Sequence, residues 1–214
     1  RIVGRPLIAT ATLIALGVGA LLIGVTSFVP TYLENSLGVV PLVSGMAVAA
    51  LTLGWPLAAS LAGRLYLRFG YRTTVLLGSS IAAAGTVALA LTGPAPNPWT
   101  VGAVCLVIGF GLGWTAAPSL IAVQASVDWD ERGVVTGVNV FARSAGSAIG
   151  VALYGAIATN VIATGKGEQD YATIVTASTW VFVAVAVTAV GMLVAALGLP
   201  RGGVHAAAYS PPSA

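Results

Sequence analysis

Six apolar runs, separated by short polar stretches, make up nearly all of this chain. They fall approximately at residues 7–33, 41–62, 73–91, 100–123, 134–161 and 173–197. Crossing a hydrocarbon layer about 30 Å thick takes roughly 20 helical residues. Backbone polar groups in lipid must also be satisfied within the segment itself, which selects helices for isolated apolar runs of this length. The pattern therefore predicts an all-α integral membrane protein with six transmembrane helices. The connections, 34–40, 63–72, 92–99, 124–133 and 162–172, are all short. Residues 1–199 form the expected bundle, and 200–214 a cytoplasmic, disordered tail.

Basic residues give the bundle an orientation, because short cytoplasmic loops carry the Lys and Arg excess. Arg1, Arg5, Arg64, Arg68, Arg72, Arg132 and Arg201 fall on one side of the predicted spans and only Lys166 on the other. Both termini are thus expected in the cytoplasm of a cell whose surface membrane the chain spans several times. Tyr32, Trp99 and Tyr171 then fall near the outer interface, and Tyr66 and Trp129 near the inner one, where an aromatic belt belongs.

Composition agrees. The chain is 57% hydrophobic and 7% charged, against roughly a quarter charged in soluble domains, and its mean hydropathy is +0.97. A net charge of +3 is explained by loop arginines, and no basic run marks a nucleic-acid partner. Cys105 lies alone in an apolar run, and His205, the single histidine, follows the last span. No hydrolytic triad, zinc site or other metal site can be assembled from them, so no enzyme and no cofactor is expected. The chain begins at Arg1 and enters an apolar segment almost at once, which reads as a piece of a longer or processed protein. That segment is longer than a secretory signal core.

Six spans with both ends on one side allow two inverted triplets. The leading span of the first carries Gly17, Gly19 and Gly24 with Pro30 late; that of the second carries Gly109, Gly111 and Gly113 with Pro118 late. Paired interruptions of this kind point to a transporter's central site, although Gly and Pro are also simply common in membrane helices.

Between the second and third spans, Gly63-Arg64-Leu65-Tyr66-Leu67-Arg68-Phe69-Gly70-Tyr71-Arg72 packs three arginines and two glycines together. The glycines permit a tight reversal. The arginines suit an acidic group on a neighbouring helix or anionic headgroups, while positive-inside topology alone also accounts for the charges. This stretch resembles the major facilitator superfamily loop pattern Gly-x-x-x-Asp-Arg-x-Gly-x-Arg, with Gly63, Arg68, Gly70 and Arg72 matching and Leu67 at the acidic position.

A second resemblance runs through Gly109-Phe-Gly-Leu-Gly113, Pro118-Ser119-Leu120, Gln124, Asp130-Glu131-Arg132-Gly133, Arg143, Gly146 and Gly150. These residues are similar to the late helices of fourteen-spanning drug/proton antiporters of the EmrB/QacA-like branch. The resemblance implies one half of a major facilitator fold, here the C-terminal half. It further implies an N-terminal half as partner, a small-molecule substrate and proton coupling, with the loop Gly63, Arg64, Arg68, Gly70 and Arg72 in gating.

Arg143 is the one charge inside a predicted span. An intramembrane charge costs about 3 kcal/mol or more and normally faces a bundle interior or polar cavity. Asn139, Arg143 and Ser147 recur every four residues and so share one stripe of a helix, placing Arg143 either at a cavity or in an inter-helix tie. Thr26, Trp114, Asn139 and Arg143 are the candidate substrate contacts, Trp114 as an aromatic face for lipophilic cations.

The remaining polar residues read as structural. Asp128, Asp130 and Glu131 precede the fifth span, the first and last with capping-box spacing. The pairs Gly133 and Gly137, and Gly146 and Gly150, suit close helix packing. No carboxylate lies at the membrane midplane, so a proton-coupling acid is expected outside this chain; Glu34, at an outer loop, is a marginal candidate. Proton-coupled efflux of drugs or lipophilic cations by alternating access is the reading. Export of another metabolite, and a six-span scaffold without transport, are the alternatives.

Overall fold

A computed structural model of the chain describes residues 5–92, 97–165 and 171–200. Arg1, Lys166, Arg201, His205 and almost all of the expected tail lie outside the described residues. The described chain is helical throughout, in five long helices: α1 (Pro6–Leu37), α2 (Pro41–Leu91), α3 (Pro98–Ala125), α4 (Arg132–Thr164) and α5 (Tyr171–Leu197). One 3₁₀ turn, Trp129–Glu131, precedes α4. All five helices are long and apolar enough to cross a membrane.

Local chemistry sets the ends. Proline stands in the first turn of α1, α2 and α3, where its missing N–H costs nothing and its φ is already helical. Asn97 caps α3, its side-chain oxygen accepting from the Trp99 N–H at 3.0 Å and the Thr100 N–H at 3.4 Å. At the far end of α1, Gly38 takes the left-handed conformation at φ 62°, and its N–H donates to the Glu34 carbonyl at 2.9 Å. The expected capping box before α4 does not form. Neither Asp128 nor Glu131 makes a side-chain cap bond, because the 3₁₀ turn joins the Glu131 N–H to the Asp128 carbonyl at 3.0 Å.

Helix α2 makes two passes. Its backbone is non-helical at Gly70, with φ 81° and ψ 163°, a region open essentially to glycine alone. Packing on α3 shows the reversal. Leu51 and Trp55 lie against Gly109 and Gly113 in ascending order, whereas Gly78 and Gly85 lie against Gly111 and Ile108 in descending order. The limb 41–69 therefore runs parallel to α3 and the limb 71–91 antiparallel to it, which gives six passes in all. The expected loop at 63–72 is helical apart from this single residue.

The two triplets exchange their leading helices. α3 packs chiefly on both limbs of α2, and α1 on α4 and α5. Glycines two apart point to opposite neighbours, since successive residues are about 100° apart on a helix. Gly17 thus meets Met192 of α5 while Gly19 meets α4, and Gly109 meets the first limb of α2 while Gly111 meets the second.

Within each parallel pair the approach is reciprocal. A Cβ on Gly19 would stand 1.9 Å from the Arg143 carbonyl oxygen, and one on Gly146 would stand 2.0 Å from that of Leu16. In the other pair a Cβ on Gly109 would stand 2.1 Å from the Leu51 oxygen, and one on Gly54 would stand 2.5 Å from that of Leu106. Each helix offers a carbonyl and, three residues on, a glycine; its partner offers the same. Small residues at such crossings bring backbones together where lipid supplies no hydrophobic drive.

Arginine ties mark one end of the bundle. Arg5 Nη1 donates to the Ser126 carbonyl at 3.2 Å, joining the start of α1 to the end of α3. At the opposite end, the Tyr32 hydroxyl donates to the Thr92 carbonyl at 3.0 Å, and the Ser44 hydroxyl donates to Glu34 Oε1. Tyr32 is fully buried, edge-on to Phe182 at 5.3 Å, so it is a core residue and not part of an interfacial belt. Trp99 and Trp129 are 76% and 78% exposed. Glu34 is a half-buried helix residue, not the loop residue expected. Cys105 is completely buried.

Candidate functional site

Four helices converge on a small pocket of about 140 Å³. Ala15 and Val18 come from α1, Trp55 from the first limb of α2, Ser119 and its neighbours from α3, and Asn139 and Arg143 from α4. In terms of the triplets, these are the leading and second passes of each. The second limb of α2 and α5, the third passes, contribute nothing to the lining.

Each polar wall has a local cause. Arg143 lies about 16 Å along α4 from its start, and its backbone is pinned because Gly19 leaves room for the crossing. Ser147 Oγ donates to the Gly19 carbonyl and to that of Arg143, both at 3.1 Å. With the main chain fixed, the half-buried Arg143 side chain is directed to the pocket, beside Asn139 one turn before it. Across from them, Ser119 Oγ donates to the Ala116 carbonyl at 2.9 Å, next to Pro118 inside α3. That proline has no N–H for the Trp114 carbonyl four residues earlier.

Among the described residues the Arg143 guanidinium has neither a hydrogen bond nor an ion pair, and the Asn139 carboxamide likewise has no bond. The described carboxylates, Glu34, Asp128, Asp130 and Glu131, are absent from the lining.

The other two candidates sit elsewhere. Thr26 Oγ1 donates to the Leu22 carbonyl at 2.8 Å, folding its hydroxyl back on its own helix. Trp114 packs against Phe110 with ring centroids 4.7 Å apart, and its Nε1 is buried without a partner among the described residues. Neither lines the pocket. Trp55 does line it, and it was not singled out from the sequence. The available signal was a tryptophan beside Pro56 in mid-span, far from either predicted interface.

The motif between the second and third passes acts as a fastening in the structure. Arg72 Nε donates to the Leu199 carbonyl at 2.8 Å and Nη2 to the Leu197 carbonyl at 3.1 Å. The Tyr71 hydroxyl donates to the Pro200 carbonyl at 2.7 Å. Arg72 therefore satisfies orphan carbonyls at the end of α5 and sits at the negative end of its dipole. Arg64 and Arg68 are exposed, the latter 5.3 Å from the Phe69 ring centroid. Gly63 is an exposed helical residue with nothing near its Cβ position. Of the five motif residues, Gly70 makes the reversal and Arg72 the fastening.

A larger cavity of about 340 Å³ lies near the opposite end, lined by Phe28, Thr31, Asn35, Ile162 and Ser178 among others. An apolar groove of about 500 Å³ runs between the starts of α2 and α3, past Met46 and Trp99.

An all-helical bundle of six passes in two inverted triplets, with a pocket where their first and second passes meet, is the architecture of a membrane transporter half. The match to the Major Facilitator Superfamily model over residues 1–151 shows that the chain belongs to that family. It is 34% identical over 138 residues to the MFS-type transporter clz4 of Cochliobolus lunatus, covering 64% of this chain and 25% of that protein. The multidrug transporter protein MdtP of Bacillus subtilis is 25% identical over 134 residues, covering 63% of this chain and 25% of MdtP. The puromycin resistance protein pur8 of Streptomyces alboniger is 34% identical over 148 residues, 66% of this chain and 29% of pur8. The chain thus spans a quarter to under a third of the length of these relatives. In fold it is similar to the inward open xylose transporter XylE from E. coli, with a TM-score of 0.69 at 18% identity, over 94% of this chain and 48% of that one.

Proposed function

We propose that these six passes form one half of a proton-coupled exporter of drug-like small molecules, working by alternating access against a second bundle of six or more passes. The carrying observation is the pocket at Arg143 and Asn139, where the leading and second passes of both triplets converge. Transporters of this type bind cargo near the midplane at the interface of their repeats. The names of relatives in bacteria, a multidrug transporter and a puromycin resistance protein, support drug export as the cargo class.

The arginine-marked end of the bundle faces the cytoplasm of a cell membrane in this reading, with both termini on that side. The described acidic residues lie at helix ends, so the group that takes up and releases the proton belongs to the partnering bundle.

The test is expression of the full-length gene in a drug-sensitive bacterium. Raised tolerance to at least one drug of a panel spanning anionic, neutral and cationic compounds, with dye efflux that stops on adding a protonophore, is the expected result. Unchanged susceptibility to every drug tried, with the protein present in the membrane, would sink the reading.

A further inference from the structure

We infer that the pocket at Arg143 takes an anionic group, so that the cargo handled here is an amphiphile bearing a carboxylate, sulfonate or phosphate and not a lipophilic cation. The inference rests on the export reading above and narrows its substrate class.

The lining holds one fixed positive charge and no described negative one. Arg143 carries a fork of five N–H donors with a fixed positive charge, and it has no hydrogen bond or ion pair among the described residues. Asn139, beside it, has both its amide donors and its carbonyl acceptor unbonded among the described residues. Trp55, across the pocket, has a donor and no acceptor. The Ser119 hydroxyl proton is already bonded to the Ala116 carbonyl. No described carboxylate lines the space, so no described negative charge offsets a ligand cation there. Arg143 would instead repel one at close range in a medium where charges are poorly screened.

Size points the same way. Pockets that enclose a whole drug-sized ligand run from about 300 to 1,000 Å³. The space of about 140 Å³ that this bundle contributes accommodates a head group, with half-buried Leu120 and exposed Val140 at its walls to meet the apolar body. Arginine matches planar carboxylates and tetrahedral oxyanions through paired N–H bonds. A guanidinium held part-way into a membrane is unfavourable without a counter-charge, and a ligand oxyanion would supply one. Trp114, the expected aromatic platform for cations, lies outside the pocket; Trp55 offers such a face within it, a weaker attraction than the repulsion from the fixed charge of Arg143 in the same space.

The test uses two probes with the same rings, anilinonaphthalene sulfonate and its uncharged parent phenylnaphthylamine. Binding to the full-length transporter in nanodiscs of zwitterionic lipid is read by quenching of tryptophan emission, against empty nanodiscs. The sulfonate is expected to bind about tenfold more tightly than the neutral probe, the effect of one charge-assisted contact. Arg143→Gln should abolish the preference, and Arg143→Lys should keep part of it. If Arg143→Gln fails to fold, the preference of the unaltered protein and its reduction in Arg143→Lys decide.

Equal binding of the two probes, or a sulfonate preference that survives Arg143→Gln, overturns the inference while leaving export intact. The same holds if the sulfonate is excluded while the neutral probe binds, the outcome expected if a carboxylate of the partnering bundle already occupies Arg143. If neither probe binds and drug susceptibility is also unchanged, the export reading itself has failed.

Discussion

Gly19 and Arg143 define the closest crossing in the bundle: a Cβ on Gly19 would stand 1.9 Å from the Arg143 carbonyl oxygen. The atom met is backbone, so no side chain can swing aside to make room. Gly19→Ala should therefore push α1 from α4 and destabilise the bundle by about 1–3 kcal/mol, the usual range for overpacking. Gly155→Ala, on the same helix as Arg143 with nothing near its Cβ position, should be neutral or slightly stabilising. Thermal unfolding of both variants in one detergent decides; equal midpoints would show that the crossing is not tight.

Gly70 and Gly63 share a motif but not a role. Gly70 holds φ 81° and ψ 163°, so Gly70→Ala should cost about 1–3 kcal/mol through backbone strain. Gly63 is helical with open space around it, and Gly63→Ala should cost nothing measurable. A Gly63→Ala variant as damaged as Gly70→Ala would mean that the reversal needs both glycines.

Arg72 should be the one motif arginine that matters for stability. Removing it leaves the Leu197 and Leu199 carbonyls without their described donors, and Arg72→Gln should cost about 1 kcal/mol at this half-exposed end. Hydrogen exchange should quicken in the last turn of α5. Arg64→Gln and Arg68→Gln should leave that turn unchanged, both residues being exposed.

Asn97 bonds two amides at the start of α3. Asn97→Ala should lower stability by about 1 kcal/mol, whereas Asn97→Asp, which keeps the accepting oxygen, should not. The comparison of these two midpoints separates capping from a general effect of loop substitution.

Cys105 is fully buried between α3 and its neighbours. A membrane-permeant maleimide should leave the folded protein unlabelled and label it once upon unfolding. Prompt labelling of native protein would place Cys105 on a surface and contradict the packing of α3.

The six passes were legible because span length and hydropathy are set by the bilayer, and the family because its glycines and arginines sit at fixed spacings. The gathering of Asn139 and Arg143 was partly legible too, since a four-residue spacing puts two side chains on one stripe. Which other helices face that stripe was not legible. Trp55 reaches the pocket only because the first limb of α2 runs beside α3 through Gly54 and Gly113, a pairing between distant segments. Thr26 lies outside the lining because it stands about two turns beyond Val18, the last α1 residue to reach the pocket. The loop at 63–72 was overdrawn because three arginines look like loop residues, although arginine is a good helix former.

The exchange of leading helices also sets the order in which the chain can be assembled. The first pass emerges with glycine-lined faces shaped for α4 and α5, which are made last. The two limbs of α2 cannot enclose their proper neighbour until α3 follows. Each leading helix therefore finds most of its packing partners in the other triplet. The bundle's contacts join distant parts of the chain, and such topologies fold slowly. α1 should therefore reach its native packing only after α4 and α5 have been inserted.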